Sequence, residues 1–269
     1  EHLLCARLRT SNRDAASGAL EELKRIVEQI REHWQNTVIV VRGDSGFCRE
    51  ELMAWCEATP GVEYLFGLAR NARLEKTIAP QRDQARQLYE QTQQPARVFS
   101  EFDYCTKKSW TRARRVIAKA EHLDKGPNPR FIVTSLSPGE YDARELYEQH
   151  YCARGEMENR IKEQQLDMFA DRTSTGYLRA NQLRLSFASM AYTLMAALRR
   201  IGLKGTDMAR AQCGTIRLRL LKIGARIRIS VRRVYLSLAS GFPLKDIFLQ
   251  ALKNIQSLPR PPRLKPQPA

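Results

Sequence analysis

The sequence has 269 residues, 43% hydrophobic and 8% aromatic, with 45 Lys and Arg against 29 Asp and Glu and a formal net charge of +16. This apolar content excludes a mostly disordered chain, the length allows one or two domains around a sizeable core, and no apolar run approaches the roughly 18 residues that span a bilayer. The composition is that of a soluble globular protein with a polyanionic partner.

In chain order, residues 3–8 form a short apolar, β-compatible run, and Ser11, Asn12 and Asp14 supply turn and cap chemistry ahead of a helix marked by Leu20, Leu23, Val27 and Ile30. Residues 37–41, Thr-Val-Ile-Val-Val, read as a strand buried on both faces, ending in the turn Arg42-Gly43-Asp44-Ser45-Gly46-Phe47. A helix carrying Leu52, Met53, Trp55 and Cys56 leads through Pro60-Gly61 to a second buried strand over 62–68. Such alternation predicts an α/β fold with a parallel or mixed sheet.

Residues 70–94 are helical and polar in pattern. After Pro95 the pattern alternates, giving β runs at 97–104, 114–119 and 130–135, the last two separated by the turn-rich segment 125–129. A long helix is expected over 141–168, and a second over 178–198 is apolar enough to cross the core. Residues 225–232 alternate Arg with Ile and Val as a basic strand, and the Pro-rich tail from Leu258 is extended.

The charge is unevenly divided. Residues 1–171 hold 26 basic and 27 acidic side chains, whereas 172–269 hold 19 and 2, a balance of +17. A one-sided basic region favours a polyanion because each neutralised phosphate releases condensed counterions. Nucleic acid leads, with an anionic membrane surface as the alternative. The six cysteines, at 5, 48, 56, 105, 152 and 213, form no CxxC pair or Cys/His cluster, which points to a reducing cytosol rather than a disulfide framework or zinc site. The start Glu1-His2-Leu3-Leu4 has no initiator Met and no signal-peptide pattern, and reads as the middle of a longer protein.

Four features carry candidate chemistry. Asp44, between two glycines at the carboxyl end of a strand, stands where open α/β sheets bind ligands and can hold a hard cation; its other role is a turn Asp that caps the next element. Tyr151, Arg154, Glu158, Lys162 and Gln165 fall on one stripe of the long helix, either as a site or as a solvated face laced with ion pairs. Trp110, among Lys107, Lys108, Arg112, Arg114 and Arg115, either stacks on an unpaired base or packs in a small core. Arg226, Arg228 and Arg232 either track phosphates or form a solvated face with Ile227, Ile229 and Val231 inward.

The RGDSGF turn after a strand, the downstream β insertion and the helix with Tyr-x2-Arg-x3-Glu together resemble the RNase H-like DDE transposases of bacterial insertion sequences, in the branch with a β insertion before the last catalytic helix. Residues 171–174 and 180–182 are similar to the segment that follows that helix. The resemblance implies an α/β RNase H-like mixed sheet flanked by helices, divided as a partial core over 1–94, the insertion over 95–138, the helices completing the core over 139–202 and a basic C-terminal region over 203–269. It implies metal-dependent cleavage and transfer of DNA strands in transposition, with Asp44 and Glu158 as the second and third acids of a two-metal Mg²⁺ or Mn²⁺ site. Tyr151 and Arg154 match signature positions that contact DNA phosphates, and Lys162 stands one turn before the Lys the signature places at 165, where this chain has Gln. The implied partners are double-stranded DNA, as transposon ends and target, and a second copy in a homodimer, in a bacterial cytoplasm at the nucleoid and away from membranes.

The family's first catalytic Asp lies on a strand before that expected at 3–8, and no Asp precedes it here. The sequence is therefore read as the C-terminal part of a transposase, impaired in catalysis. Two other functions remain open: a DNA-binding module without catalysis, and an RNase H-like nuclease without strand transfer.

Overall fold

The structure, a computed structural model, describes residues 2–14 and 16–259. By its contacts the chain divides into two compact units, Ser11–Glu158 and Glu1–Thr10 with Asn159–Ala269. The strands over 96–134 are hydrogen bonded into the same sheet as the strands before them.

In the first unit, α1 (Ala19–His33) precedes β1 (Ile39–Gly43), α2 (Glu50–Ala58) and β2 (Val62–Leu68), followed by α3 (Ala72–Thr77) and α4 (Ala79–Thr92). Then come β3 (Ala96–Tyr104), β4 (Arg114–Leu123), the two-residue β5 (Gly126–Pro127) and β6 (Arg130–Thr134). The sheet has the order β1-β2-β6-β4-β3, with β5 on β4; β1 and β2 are parallel and the other pairings antiparallel. Alternate side chains point to opposite faces. Tyr64 and Phe66 of β2 join Val116, Ala118, Phe131 and Val133 beneath α1 to α4, while Leu65, Ile117 and Ile132 face Leu146 and Tyr147 of the long helix. This is the mixed sheet flanked by helices that the sequence implied.

Two readings of this unit are corrected. Strand β1 is not buried on both faces: it is an edge strand, with Val38 just before it 63% exposed and Val40 on the same open side. The long helix is not uniform. It runs as α5 (Ala143–Glu145), a π segment Leu146–Tyr151, a 3₁₀ turn Cys152–Arg154, α6 (Gly155–Lys162) and a second π segment Glu163–Asp167. Arg114 of β4, almost fully buried, ties the sheet to α2 by pairing with Glu50 at 2.6 Å and Glu57 at 2.7 Å.

The second unit contains α7 (Leu178–Ala197) and its π continuation Leu198–Gly202, α8 (Cys213–Thr215) and the π segment Ile216–Leu221, the strands β7 (Ala225–Ile229) and β8 (Val234–Leu238), and α9 (Lys245–Gln256). Its core joins Tyr192 and Met195 of α7 to Leu203, Cys213, Ile216 and Ala251. Helix α7 is buried along one side only; Leu183, Phe187, Met190 and Leu194 form an open stripe on the other, with Leu194 70% exposed, so it lies on a core rather than crossing one. Residues 3–8 are extended without strand pairing, and the side-chain amide of Gln182 stands in for a ladder partner: Leu8 N–H donates to its Oε1 at 2.8 Å and its Nε2 donates to the Ala6 carbonyl at 3.1 Å. Strands β7 and β8 pair only with each other. Most of the Pro-rich tail expected from Leu258 lies outside the described residues.

Candidate active site

The site begins with strand register. Parallel pairing of β1 and β2 sets Gly43 opposite Phe66, so both strands end at one edge of the sheet and Asp44 emerges beside Gly67. Asp44 has the extended backbone of a cap, and its Oδ1 accepts from Gly46 N–H at 2.8 Å. The capping role is therefore real and occupies one oxygen; Oδ2 accepts no hydrogen bond among the described residues, and the residue is exposed.

Gly67 is the neighbour that sequence reasoning missed. A Cβ built there would lie 2.6 Å from the Tyr151 hydroxyl oxygen, 3.0 Å from Ser45 N and 3.3 Å from the carbonyl carbon of Asp44. Only a glycine lets the Asp44 turn and the Tyr151 ring close over β2 together. The available signal was a glycine inside an otherwise buried strand, which marks a close approach.

Tyr151 ends the first π segment and is half-buried. Burial pushes its phenol above the ordinary value, Arg154 opposes the shift and the nearby Asp44 carboxylate adds to it, so the hydroxyl stays protonated and able to donate. The Arg154 guanidinium lies 5.4 Å from the Tyr151 ring centroid and donates to Glu158 Oε1 at 2.8 Å across one turn of α6. Tyr151, Arg154 and Glu158 are thus brought together as the stripe implied. Asp44, Tyr151 and Arg154 share a cleft of about 430 Å³ with Arg70, Arg130 and Tyr147. Glu158 does not line this cleft and connects to it through Arg154.

The remaining candidates are placed elsewhere. Lys162 is the exposed last residue of α6, and Gln165 lies in the second π segment, also exposed. Trp110 is 8% exposed, edge-on to Tyr104 at 5.7 Å and covered by Arg114 at 5.4 Å, so in this structure it packs within its own unit. Arg226 and Arg228 lie on β7 opposite Ser237 and Tyr235, with Arg228 4.9 Å from the Tyr235 ring centroid, while Arg232 lies in the turn rather than on the strand. The Ile227, Ile229 and Val231 side chains are not inward: the ribbon stands free, with Ile229 76% exposed.

A family model described as "Transposase DDE domain group 1" matches residues 1–260. The chain belongs to the DDE transposase family. No curated protein matches it. Membership makes transposition its function and DNA its substrate, and DDE transposases generally use divalent cations. The donor chemistry of this transposase suits such an ion: Asp44 and Glu158 offer hard carboxylate oxygens, and Mg²⁺ is commonly held by one or two carboxylates together with substrate phosphates. Among the described residues no group of three or more His, Cys, Asp or Glu side chains is placed to hold a metal ion. No helix of the described residues is long and apolar enough to cross a membrane.

Proposed function

We propose that this transposase cleaves and joins DNA strands in the movement of an insertion sequence, with Asp44 and Glu158 as two of its metal-holding carboxylates. The observation that carries the reading is the arrangement at the sheet edge: Asp44 beside Gly67 under Tyr151, and Tyr151 against an Arg154 that pairs with Glu158 at 2.8 Å. Asp44 and Glu158 would hold a divalent cation, which would supply activation of the attacking oxygen and neutralisation of the leaving one in an in-line displacement at phosphorus.

In the free chain Arg154 and Glu158 neutralise one another. The planar fork of Arg154 is suited to a DNA phosphate, and with Arg154 so engaged Glu158 would be free to hold the cation together with Asp44. Tyr151, protonated, donates to the same backbone. Lys162 and the exposed Arg226, Arg228 and Arg232 add phosphate contacts, two copies act together on double-stranded DNA, and the place of action is the bacterial cytoplasm.

A second reading, a DNA-binding module whose acidic residues are structural, draws on the Asp44 cap. Product analysis separates the readings. Incubated with a transposon-end duplex, a target duplex and Mg²⁺, the transposase yields nicked ends and joined strands. Free nicks alone indicate a nuclease, and metal-independent binding without cleavage indicates the module.

A further inference from the structure

The cleft above Asp44 contains two cations that the proposed reaction has not used. Antiparallel pairing of β2 with β6 sets Leu68 opposite Phe131, so Arg130, the first residue of β6, emerges at the same sheet edge as Arg70, which follows β2, and as Asp44. Arg70, Arg130 and Arg154 all line the cleft, against Asp44 as its one acidic lining residue among those described.

Most arginines of this unit are engaged, as Arg97 is with Glu121 and Arg115 is with Glu101. Arg70 and Arg130 are exposed and make no ion pair or hydrogen bond among the described residues. Two unpaired guanidinium groups converging on a cleft repel one another and gain nothing for the fold. Such an arrangement is stabilised by an anion that bridges them.

We propose that Arg70 and Arg130, with Arg154, form a clamp that grips the phosphodiester backbone of bound DNA across the Asp44 cleft. The clamp rests on the reading of the chain as a DNA-processing enzyme, but its contribution is to binding and does not depend on metal or on cleavage. Arg70 and Arg130 position the strand; they do no chemistry on it.

The test is the salt dependence of affinity for a duplex oligonucleotide, measured by fluorescence anisotropy in EDTA, so that a failure of the cleavage assignment leaves the readout intact. Each neutralised phosphate contributes about 0.9 to the slope of log K against log salt concentration. Arg70→Ala and Arg130→Ala are each expected to lower the slope by about 0.9 and the double variant by about 1.8, with Arg70→Lys and Arg130→Lys retaining it. Arg86→Ala, on the exposed face of α4 and paired with Asp83 and Glu90, is expected to leave it unchanged. Unaltered melting temperatures confirm folding, as neither clamp residue has an ion pair or hydrogen bond among the described residues to lose. An unchanged slope in the double variant, or an equal loss in Arg86→Ala, overturns the clamp. Loss of metal-dependent cleavage with the slope effects intact would discard the catalytic assignment and keep the clamp.

Discussion

The Tyr151 hydroxyl stands 2.6 Å from where a Cβ on Gly67 would be. This approach joins the central sheet to the helix that carries Arg154 and Glu158, and it fixes how closely the aromatic ring can lie over Asp44. Gly67→Ala forces Tyr151 or the Ser45 turn to move, at a cost of about 1–3 kcal/mol, typical of overpacking. Removing the hydroxyl in Gly67→Ala/Tyr151→Phe restores part of that stability, and thermal melts of the four proteins in a double-mutant cycle measure the coupling. Additive losses in the cycle would mean that the two residues do not meet.

Arg114 sets the acid limit of the fold. Hydrogen bonding to Arg114 holds Glu50 at about 2; burial alone would raise Glu57, but Arg114, Tyr64 and Arg112 outweigh it and hold it below the ordinary value. A carboxylate depressed in the folded state contributes stability that is complete above its unfolded pKa of about 4.5 and is lost as pH falls towards 2. Chemical denaturation from pH 6 to pH 3 should show a decline that is absent in Arg114→Met. That variant is itself less stable at neutral pH, since it leaves the half-buried Glu50 without its cation and Glu57 with Arg112 alone.

Much of the first unit was legible because its elements obey local rules. Leu20, Leu23, Val27 and Ile30 specify α1, and residues 62–68 specify β2 at its observed bounds. What could not be read was set by pairing between distant segments. Residues 37–41 have the composition of a fully buried strand, yet β1 took the sheet edge, where one face stays open. Arg130, 86 residues beyond Asp44 in the sequence, reaches the same cleft only because β6 runs antiparallel to β2. Periodicity also assumes 3.6 residues per turn, so it missed the π segments that flank α6. Within the site, the Arg154 to Glu158 spacing was legible because it needs only one helical turn.

The cations around Trp110 in the sequence left both stacking on a base and packing open; in the structure one of them, Arg114, covers its ring and is itself paired with Glu50 and Glu57, which favours packing. Trp110→Ala should therefore cost about 3–5 kcal/mol in stability, as truncation of a buried aromatic does. At a temperature where the variant remains folded, its DNA affinity should equal that of the parent. A melt unchanged by the substitution together with a loss of affinity would show the stacking role instead.

The β7–β8 ribbon is two-sided. Ala225, Ile227 and Ile229 share a face with Leu238, Leu236 and Val234, and Arg226 and Arg228 share the other with Ser237 and Tyr235. Replacing Arg226, Arg228 and Arg232 together with Ala should weaken DNA binding without regard to sequence and lower the salt slope by up to about 0.9 for each phosphate that these side chains neutralise. Anisotropy titrations at several salt concentrations measure it, and an unchanged slope would remove the ribbon from the DNA interface.

The most direct test of the account is the rate of Mg²⁺-dependent nicking of a transposon-end duplex by the parent, Asp44→Asn and Glu158→Gln, each first shown to melt and to bind DNA in EDTA as the parent does. Both substitutions keep shape and hydrogen-bonding capacity while removing the anionic oxygen that a divalent cation needs. The account predicts nicking by the parent that depends on Mg²⁺ and a fall of at least a hundredfold, on the order of a lost catalytic ligand, in each variant. Nicking that persists in both variants at the parental rate would contradict it.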